Sequence, residues 1–476
     1  MSSTRRRIAL LAAASVLPAL TLTLPATGQR GSDDAAIRVL PVAPTVERLP
    51  NGLTVISVPW DSPGIIAYYT LVRVGSRDEV EPGHSGFAHL FEHMMFRGTE
   101  RFPAEVYERR LQNLGADNNA YTSQDFTLYT VTAPSSALAE VAELEADRFQ
   151  RLHYDEAQFR TETGAVLGEY NKSASNPMLK MWEALSEMSF TRHTYGHTTL
   201  GYLRDIQAMP ERYDYSIQFF RRFYTPDDCT IIVAGDVQHA RLLELVRQHY
   251  GSWSGRRHDP RIRREPEPRQ GAERHIAWDG SSPPRMLVGY RTPSFDGGQR
   301  AGARRAAAIR ESAAMQVIHG LVFDPSSPLY QRLVVDEQKL LELGSWSGEQ
   351  SRDPHLLVAL VALKPGGDFA EIRDALQAEL DGIAAGTTEA ARIDAVKSHL
   401  RYALLTSLET PDQVADLIAQ LIAVGGQVGA LDEYLGALAA VTPEEVARVA
   451  GHYLTASRRF VVTLAPGADT SEGGAP

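Results

Sequence analysis

GFAHLFEHMMFRGT, residues 86–99, contains the pentapeptide His89-Leu90-Phe91-Glu92-His93. On an α-helix, side chains three and four positions apart share a face. His89, Glu92 and His93 therefore point the same way, one turn deep. Two imidazoles and a carboxylate on one face are the minimal kit of a hydrolytic zinc site: two nitrogen ligands, and a base to take a proton from water. With 14 His in 476 residues, chance produces H-x-x-E-H roughly 0.02–0.03 times in a chain of this length. An accidental pair of histidines on an amphipathic helix is therefore the weaker reading. Catalytic zinc takes three protein ligands and keeps a fourth position open, so one more donor must come from elsewhere.

Before this stretch, RLPNGLTVISVPW carries the turn signal Asn51-Gly52 ahead of a β-rich run, and IIAYYTLVRVGSRDE follows as a second strand. His84 lies between glycines and reads as a loop histidine, not a ligand. After it, Phe102 to Leu114 reads as a helix, Gly115 and Asn118-Asn119 as a turn, and FTLYTVT alternates like a strand. SSALAEVAELEADRFQRLHY is strongly periodic and helical. Phe159 to Met188 reads as one long helix carrying Glu162 and Glu169, which sit two turns apart on one face. His193 and His197 are four apart, but Gly196 between them argues for a structural loop over a second metal pair. Pro210 to Tyr224 is another helix, and TPDDCTIIVAGDV a turn and a buried strand.

The chain is 43% hydrophobic and 22% charged, which suits globular structure, with a net charge of −11. No basic cluster is large enough to suggest nucleic acid. Arg5-Arg6-Arg7, the apolar run Ile8 to Leu24 and the small residues Ala26-Thr27-Gly28 form a signal peptide over residues 1–28, with cleavage expected near Gln29. A retained membrane anchor is the alternative. Export to the periplasm follows, and loss of three arginines takes the mature charge from −11 to −14. The single cysteine, Cys229, makes no internal disulfide and falls in the buried CTIIVAG strand as a small core residue.

Ser252 to Glu273 is rich in Arg, Pro and Gly and reads as a linker or surface strap. Beyond it the first half repeats in outline. DPHLLVALVALKPGGDFAEIRDALQAEL answers DFTLYTVTAPSSALAEVAELEADRF, and TPEEVARVAGHYLTASRRFVVTLAPG answers MPERYDYSIQFFRRFYTPDDCTIIVAGD. The offset, Pro210 to Pro443 and Tyr224 to Tyr453, is near 230 residues. ARRAAAIRESAAMQVIHGL takes the place of the metal helix and has no H-x-x-E-H. The expectation is an α+β chain of two homologous α/β-layered domains, each an antiparallel-rich sheet packed with helices. Residues 45–252 would form the catalytic domain, 253–273 the linker, and 274–467 a non-catalytic copy.

NGLTV, GFAHLFEHMMFRGT, NNAYTSQDFTLY, TYGHTTLG and FYTPDDCTIIVAGDV together resemble the inverse-zincin metallopeptidases, the family of pitrilysin, insulin-degrading enzyme and mitochondrial processing peptidase. The resemblance covers about residues 45–470 and the length of the short bacterial members, which pair as dimers around a chamber. It implies one zinc ion per chain, held by His89, His93 and Glu169, the last lying 76 residues after His93. It implies Glu92 as general base, and Glu162 as an acid that orients or polarises the ligands. Asn119 and Ala120 match the edge that binds substrate backbone, which agrees with peptide recognition by strand addition.

The chain departs from the family at SPLYQRLVVDEQKLLELGSW. Self-sufficient members carry an Arg and, seven residues on, a Tyr that hold the substrate and its developing oxyanion. Here Val334 and Leu341 stand at those positions, and Arg332 is on a different helical face. Loss of a positioned oxyanion donor costs about 3–4 kcal/mol. The expectation is therefore a zinc endopeptidase for peptides or unfolded segments, acting as the catalytic subunit of a heterodimer with a sister chain that supplies the Arg/Tyr pair. A homodimer, or a non-proteolytic scaffold subunit of the same family, is the alternative.

Overall fold

The computed structural model describes residues 40, 42–295, 298, 301–348 and 350–467. The expected signal peptide, residues 1–28, lies outside the described residues.

The first half opens with β1 (Thr45–Arg48), β2 (Thr54–Pro59) and β3 (Ile65–Val72), followed by α1 (Phe87–Met94) and α2 (Ala104–Asn113). A hairpin of β4 (Asp117–Thr122) and β5 (Thr127–Pro134) leads into α3 (Leu138–Arg151), α4 (Glu156–Ala174) and α5 (Pro177–Ser189). Short α6 (Leu203–Ala208), then α7 (Tyr213–Phe223), β6 (Cys229–Gly235) and α8 (His239–Tyr250) complete it. The second half begins with β7 (Ala272–Trp278), β8 (Arg285–Arg291), α9 (Ala303–Phe323) and the single turn α10 (Pro328–Tyr330). The hairpin β9 (Leu340–Ser347) and β10 (Leu356–Leu363) precedes α11 (Phe369–Ala384) and α12 (Ala390–Thr406). Then come α13 (Pro411–Gly425), α14 (Ala430–Ala440), α15 (Pro443–Tyr453) and β11 (Phe460–Pro466).

The fold is α+β, with two sheets among the described residues. One runs β1-β2-β6-β3-β5-β4 and the other β7-β11-β8-β10-β9. Each is antiparallel except for one parallel pair, β2 with β6 and β7 with β11. Replacing β2, β6, β3, β5 and β4 by β7, β11, β8, β10 and β9 converts the first order, without its extra edge strand β1, into the second. The repeat read from the sequence is thus a repeat of topology, with α9 standing where α1 stands.

Side-chain alternation divides each central strand between two cores. Ile66, Tyr68 and Val72 of β3 join the core beneath α1 and α3, while Ala67, Tyr69 and Leu71 face the other way. That second face is covered by the other half: α13 packs on β3 and β6. In return α5 lays Met181, Ala184 and Leu185 on Leu287, Val358, Phe460 and Val462 of the second sheet. Each half therefore buries a helix against the back of its partner's sheet. Polar contacts close the seam: Asp353 lies 2.5 Å from Arg77 and 3.2 Å from His193 Nε2, and the Arg352 N–H donates to Asp125 Oδ2 at 3.0 Å. No single helix among the described residues is long and apolar enough to cross a membrane.

Three expectations are corrected. Asn118-Asn119 is not a turn but the middle of β4, paired residue for residue with β5; strand pairing overrides a local turn preference. The hairpin turns instead at Ser123, whose hydroxyl accepts the N–H groups of Asp125 and Phe126. The long helix from Phe159 is two helices. Asn176 accepts the Met178 N–H at 2.9 Å and Pro177 occupies the first helical position, a new helix start that ends the old helix. Finally, residues 252–271 lack regular structure but are pinned to the first half. Glu265 accepts the N–H groups of Arg192 and His193 at 2.7 and 2.9 Å, and β7 begins at Ala272, inside the expected linker.

Candidate metal centre

α1 starts at Gly86, whose φ of +91° and close approach to the Leu200 carbonyl both require glycine. Its first N–H groups have no partner within the helix. The Glu79 carboxylate supplies one, accepting from Gly86 at 2.8 Å and Ala88 at 2.7 Å. Burial pushes the Glu79 carboxyl up to about 8, against the downward pull of these two donors. Phe87, Leu90, Phe91 and Met94 fill the core, with Phe91 stacked on Phe219 of α7 at 5.1 Å. The Tyr129 hydroxyl adds a bond to the Phe91 carbonyl at 3.1 Å.

The remaining face of α1 carries His89, Glu92 and His93 toward α4. A capping box of Asp155 and Gln158 starts α4, which brings Glu162 and Glu169 alongside the histidines. Glu169 Oε2 lies 3.7 Å from His89 Nε2 and 3.5 Å from His93 Nε2. One donor atom from each of these three residues falls within 4.8 Å of the others. Zinc–ligand bonds of about 2.0–2.1 Å in a tetrahedron put ligand atoms about 3.3–3.4 Å apart. Two imidazole nitrogens and a carboxylate at these separations fit that ion. Burial, reinforced by the neighbouring His93, lowers the His89 imidazole to about 4, the neutral form a metal needs. The adjacent imidazoles, His93 foremost, hold Glu169 below the usual carboxylate range against the upward push of burial.

Glu162 joins from behind: its Oε2 lies 3.3 Å from His93 Nδ1, and its other oxygen is paired with Arg97. A carboxylate on the far nitrogen fixes the ring and raises its basicity toward a metal. Glu92 is outside the three-ligand cluster. Its Oε2 accepts from Thr122 Oγ1 at 2.7 Å, and burial pushes its carboxyl up to about 7 against that bond. Asn119 and Ala120 both lie on β4, the terminal strand of the sheet. Asn119 is exposed and Ala120 is buried in the core beneath α1.

Arg97, Thr122 and Glu79 were not singled out from the sequence. Arg97 follows His93 by four residues and Thr122 closes the NNAYT stretch, so a signal existed for both. Nothing local marks Glu79. The other histidines stand elsewhere: His84 stacks on Tyr215 at 3.9 Å, and His193 accepts the Tyr195 N–H. Neither these nor His197 joins a metal-binding group among the described residues. Val334 packs half-buried against the core of the second half, and Leu341 is 54% exposed at the start of β9.

Two family models match. Residues 67–202 match insulinase (peptidase family M16), and residues 213–400 match the peptidase M16 inactive domain. The chain belongs to peptidase family M16. Among relatives of this M16 chain, the zinc protease PqqE of Helicobacter pylori is 25% identical over 432 residues, 88% of this chain and 92% of that protein. The mitochondrial-processing peptidase subunit beta of Bos taurus is 33% identical over 226 residues, 47% of this chain and 45% of that one. The match thus spans less than half of the bovine subunit. The crystal structure of a protease from Helicobacter pylori superposes with a TM-score of 0.82 at 24% identity, covering 89% of this chain and 99% of its own. It shares the two-domain fold.

Proposed function

We propose that this M16 chain is an exported zinc endopeptidase for peptides and unfolded segments, the catalytic subunit of a heterodimer. The observation that carries the reading is the convergence of His89, His93 and Glu169 within 4.8 Å, with Glu92 on the same helical face. Bound zinc supplies a Lewis acid for the scissile carbonyl and a lowered pKa for the attacking water. Glu92, half-buried and held by Thr122, takes the proton of that water and returns it to the leaving amine. Glu162, steadied by Arg97, holds the His93 ring in place. Among the described residues β4 has one ladder partner, and it offers its other edge, around Asn119 and Ala120, to an extended substrate backbone.

Val334 and Leu341 supply no hydrogen-bond donor for an oxyanion, which supports a sister subunit that brings the Arg and Tyr. The arginine-led apolar segment at residues 5–24 supports export to the periplasm.

The test is cleavage of a quenched flexible peptide by the purified mature chain, with zinc content and mass measured on the same sample. The expected result is one zinc per chain with weak turnover, and loss of that turnover in Glu92→Gln without loss of metal. Strong Glu92-dependent turnover from this chain alone refutes the heterodimer. Absence of stoichiometric zinc refutes the enzyme and favours the scaffold subunit.

A further inference from the structure

β4 joins the two halves at the site. Successive strand residues face opposite ways, so Ala120 and Thr122 turn toward α1 while Tyr121 turns to the other side. On the α1 side, Thr122 Oγ1 donates to Glu92 at 2.7 Å. On the other, Tyr121 Oη donates to Asp416 Oδ1 of α13 at 2.7 Å, and Asp416 Oδ2 accepts from Gln420 Nε2 at 2.7 Å. One turn earlier, Asp412 Oδ1 accepts from Tyr69 Oη of β3 at 3.2 Å and from Thr132 Oγ1 of β5. Asp412 and Asp416 are four residues apart and share a face. α13 thus aims two carboxylates at hydroxyls from three adjacent strands.

A terminal strand has a ladder on one side only and is the part of a sheet most easily displaced. Hydrogen bonds to ionised acceptors are shorter and roughly twice as strong as neutral ones. The α13 contact falls on the one strand whose neighbouring residues hold Glu92 and present a free edge. We propose that Tyr121 and Asp416 are positioning residues: through the Tyr121 hydroxyl, the second half braces β4, and so fixes both the Thr122 contact to Glu92 and the edge that receives the substrate. The substrate part rests on the reading of β4 given above. The proposal assigns the M16 half without a metal motif a role in the site of the other.

The test compares the full chain with Tyr121→Phe, Asp416→Ala, Asp416→Asn and the Tyr121→Phe/Asp416→Ala pair, by hydrogen exchange at the amides of residues 118–122. Loss of a hydrogen bond to a charged group raises exchange there about tenfold in each of the first two variants. The pair exceeds neither single variant, because both remove one interaction. Asp416→Asn keeps an acceptor oxygen without the charge, and its exchange falls between the parental and Asp416→Ala levels. In a second arm, a fluorescent flexible peptide is titrated into the Glu92→Gln chain. Adding Asp416→Ala weakens binding about tenfold with zinc content unchanged. Unaltered exchange in β4, additive single variants, or a uniform rise across the whole chain overturns the brace. If the Glu92→Gln chain binds no peptide, the substrate reading of β4 fails, while the exchange pattern still decides the brace.

Discussion

Replacing Glu162 by Gln removes the negative charge behind His93 without removing a metal ligand. In the parent, Glu162 Oε2 lies 3.3 Å from His93 Nδ1, its side chain is 8% accessible, and Arg97 is its cation partner. Loss of a partner that orients a liganding imidazole lowers metal affinity about 10–100-fold. Three features place this case at the lower end. The 3.3 Å separation is just beyond ordinary hydrogen-bond reach, the amide still offers an acceptor oxygen, and Arg97, 33% exposed, turns to water once unpaired. The expected loss is therefore about tenfold, or about 1.4 kcal/mol, in zinc affinity from a competition titration against a chromophoric chelator at neutral pH. Glu169→Gln touches the donor in contact with both imidazoles and weakens zinc by more. The reasoning is refuted if Glu162→Gln binds zinc as tightly as the parent, or if Glu162→Gln is the more damaging of the two.

The seam between the halves gives a pH signature. Burial pushes the Asp353 carboxyl up, but the His193 hydrogen bond and the Arg77 charge outweigh it and leave it below the usual carboxylate range. A depressed carboxylate stabilises the fold fully above its unfolded pKa, about 3.9, and that contribution disappears as pH falls through the folded value. Asp353→Asn should thus be less stable than the parent at neutral pH, with the gap in urea midpoint closing below about pH 4; a gap constant across this range contradicts the pairing. Leu185 is fully buried where α5 meets the second sheet, so Leu185→Ala costs about 2–5 kcal/mol. Calorimetry should show the whole chain melting earlier in one transition, and a shift confined to one of two separate transitions counts against a shared core.

The part of this protein legible in its sequence is the part set by local periodicity. His89, Glu92 and His93 share a face because a helix repeats every three to four residues, and α1 spans them. The repeat of strand, turn and helix near an offset of 230 residues appears as two sheets of matching order. Where two local signals competed, the sequence misled. Asn118-Asn119 suggested a turn, yet the ladder to β5 made it a strand; Asn176-Pro177 broke a helix whose periodicity ran through it. The approach of Glu169 and Glu162 to the histidines depends on how α4 crosses α1. No periodicity within either helix determines that crossing. The same holds for Glu79 at the start of α1 and for Thr122 against Glu92. The sequence alone determined which residues could act together on one element. Only the tertiary structure decided which elements meet, because those contacts arise from packing between segments distant along the chain, including α13 of the second half behind the strand that holds Glu92 in the first.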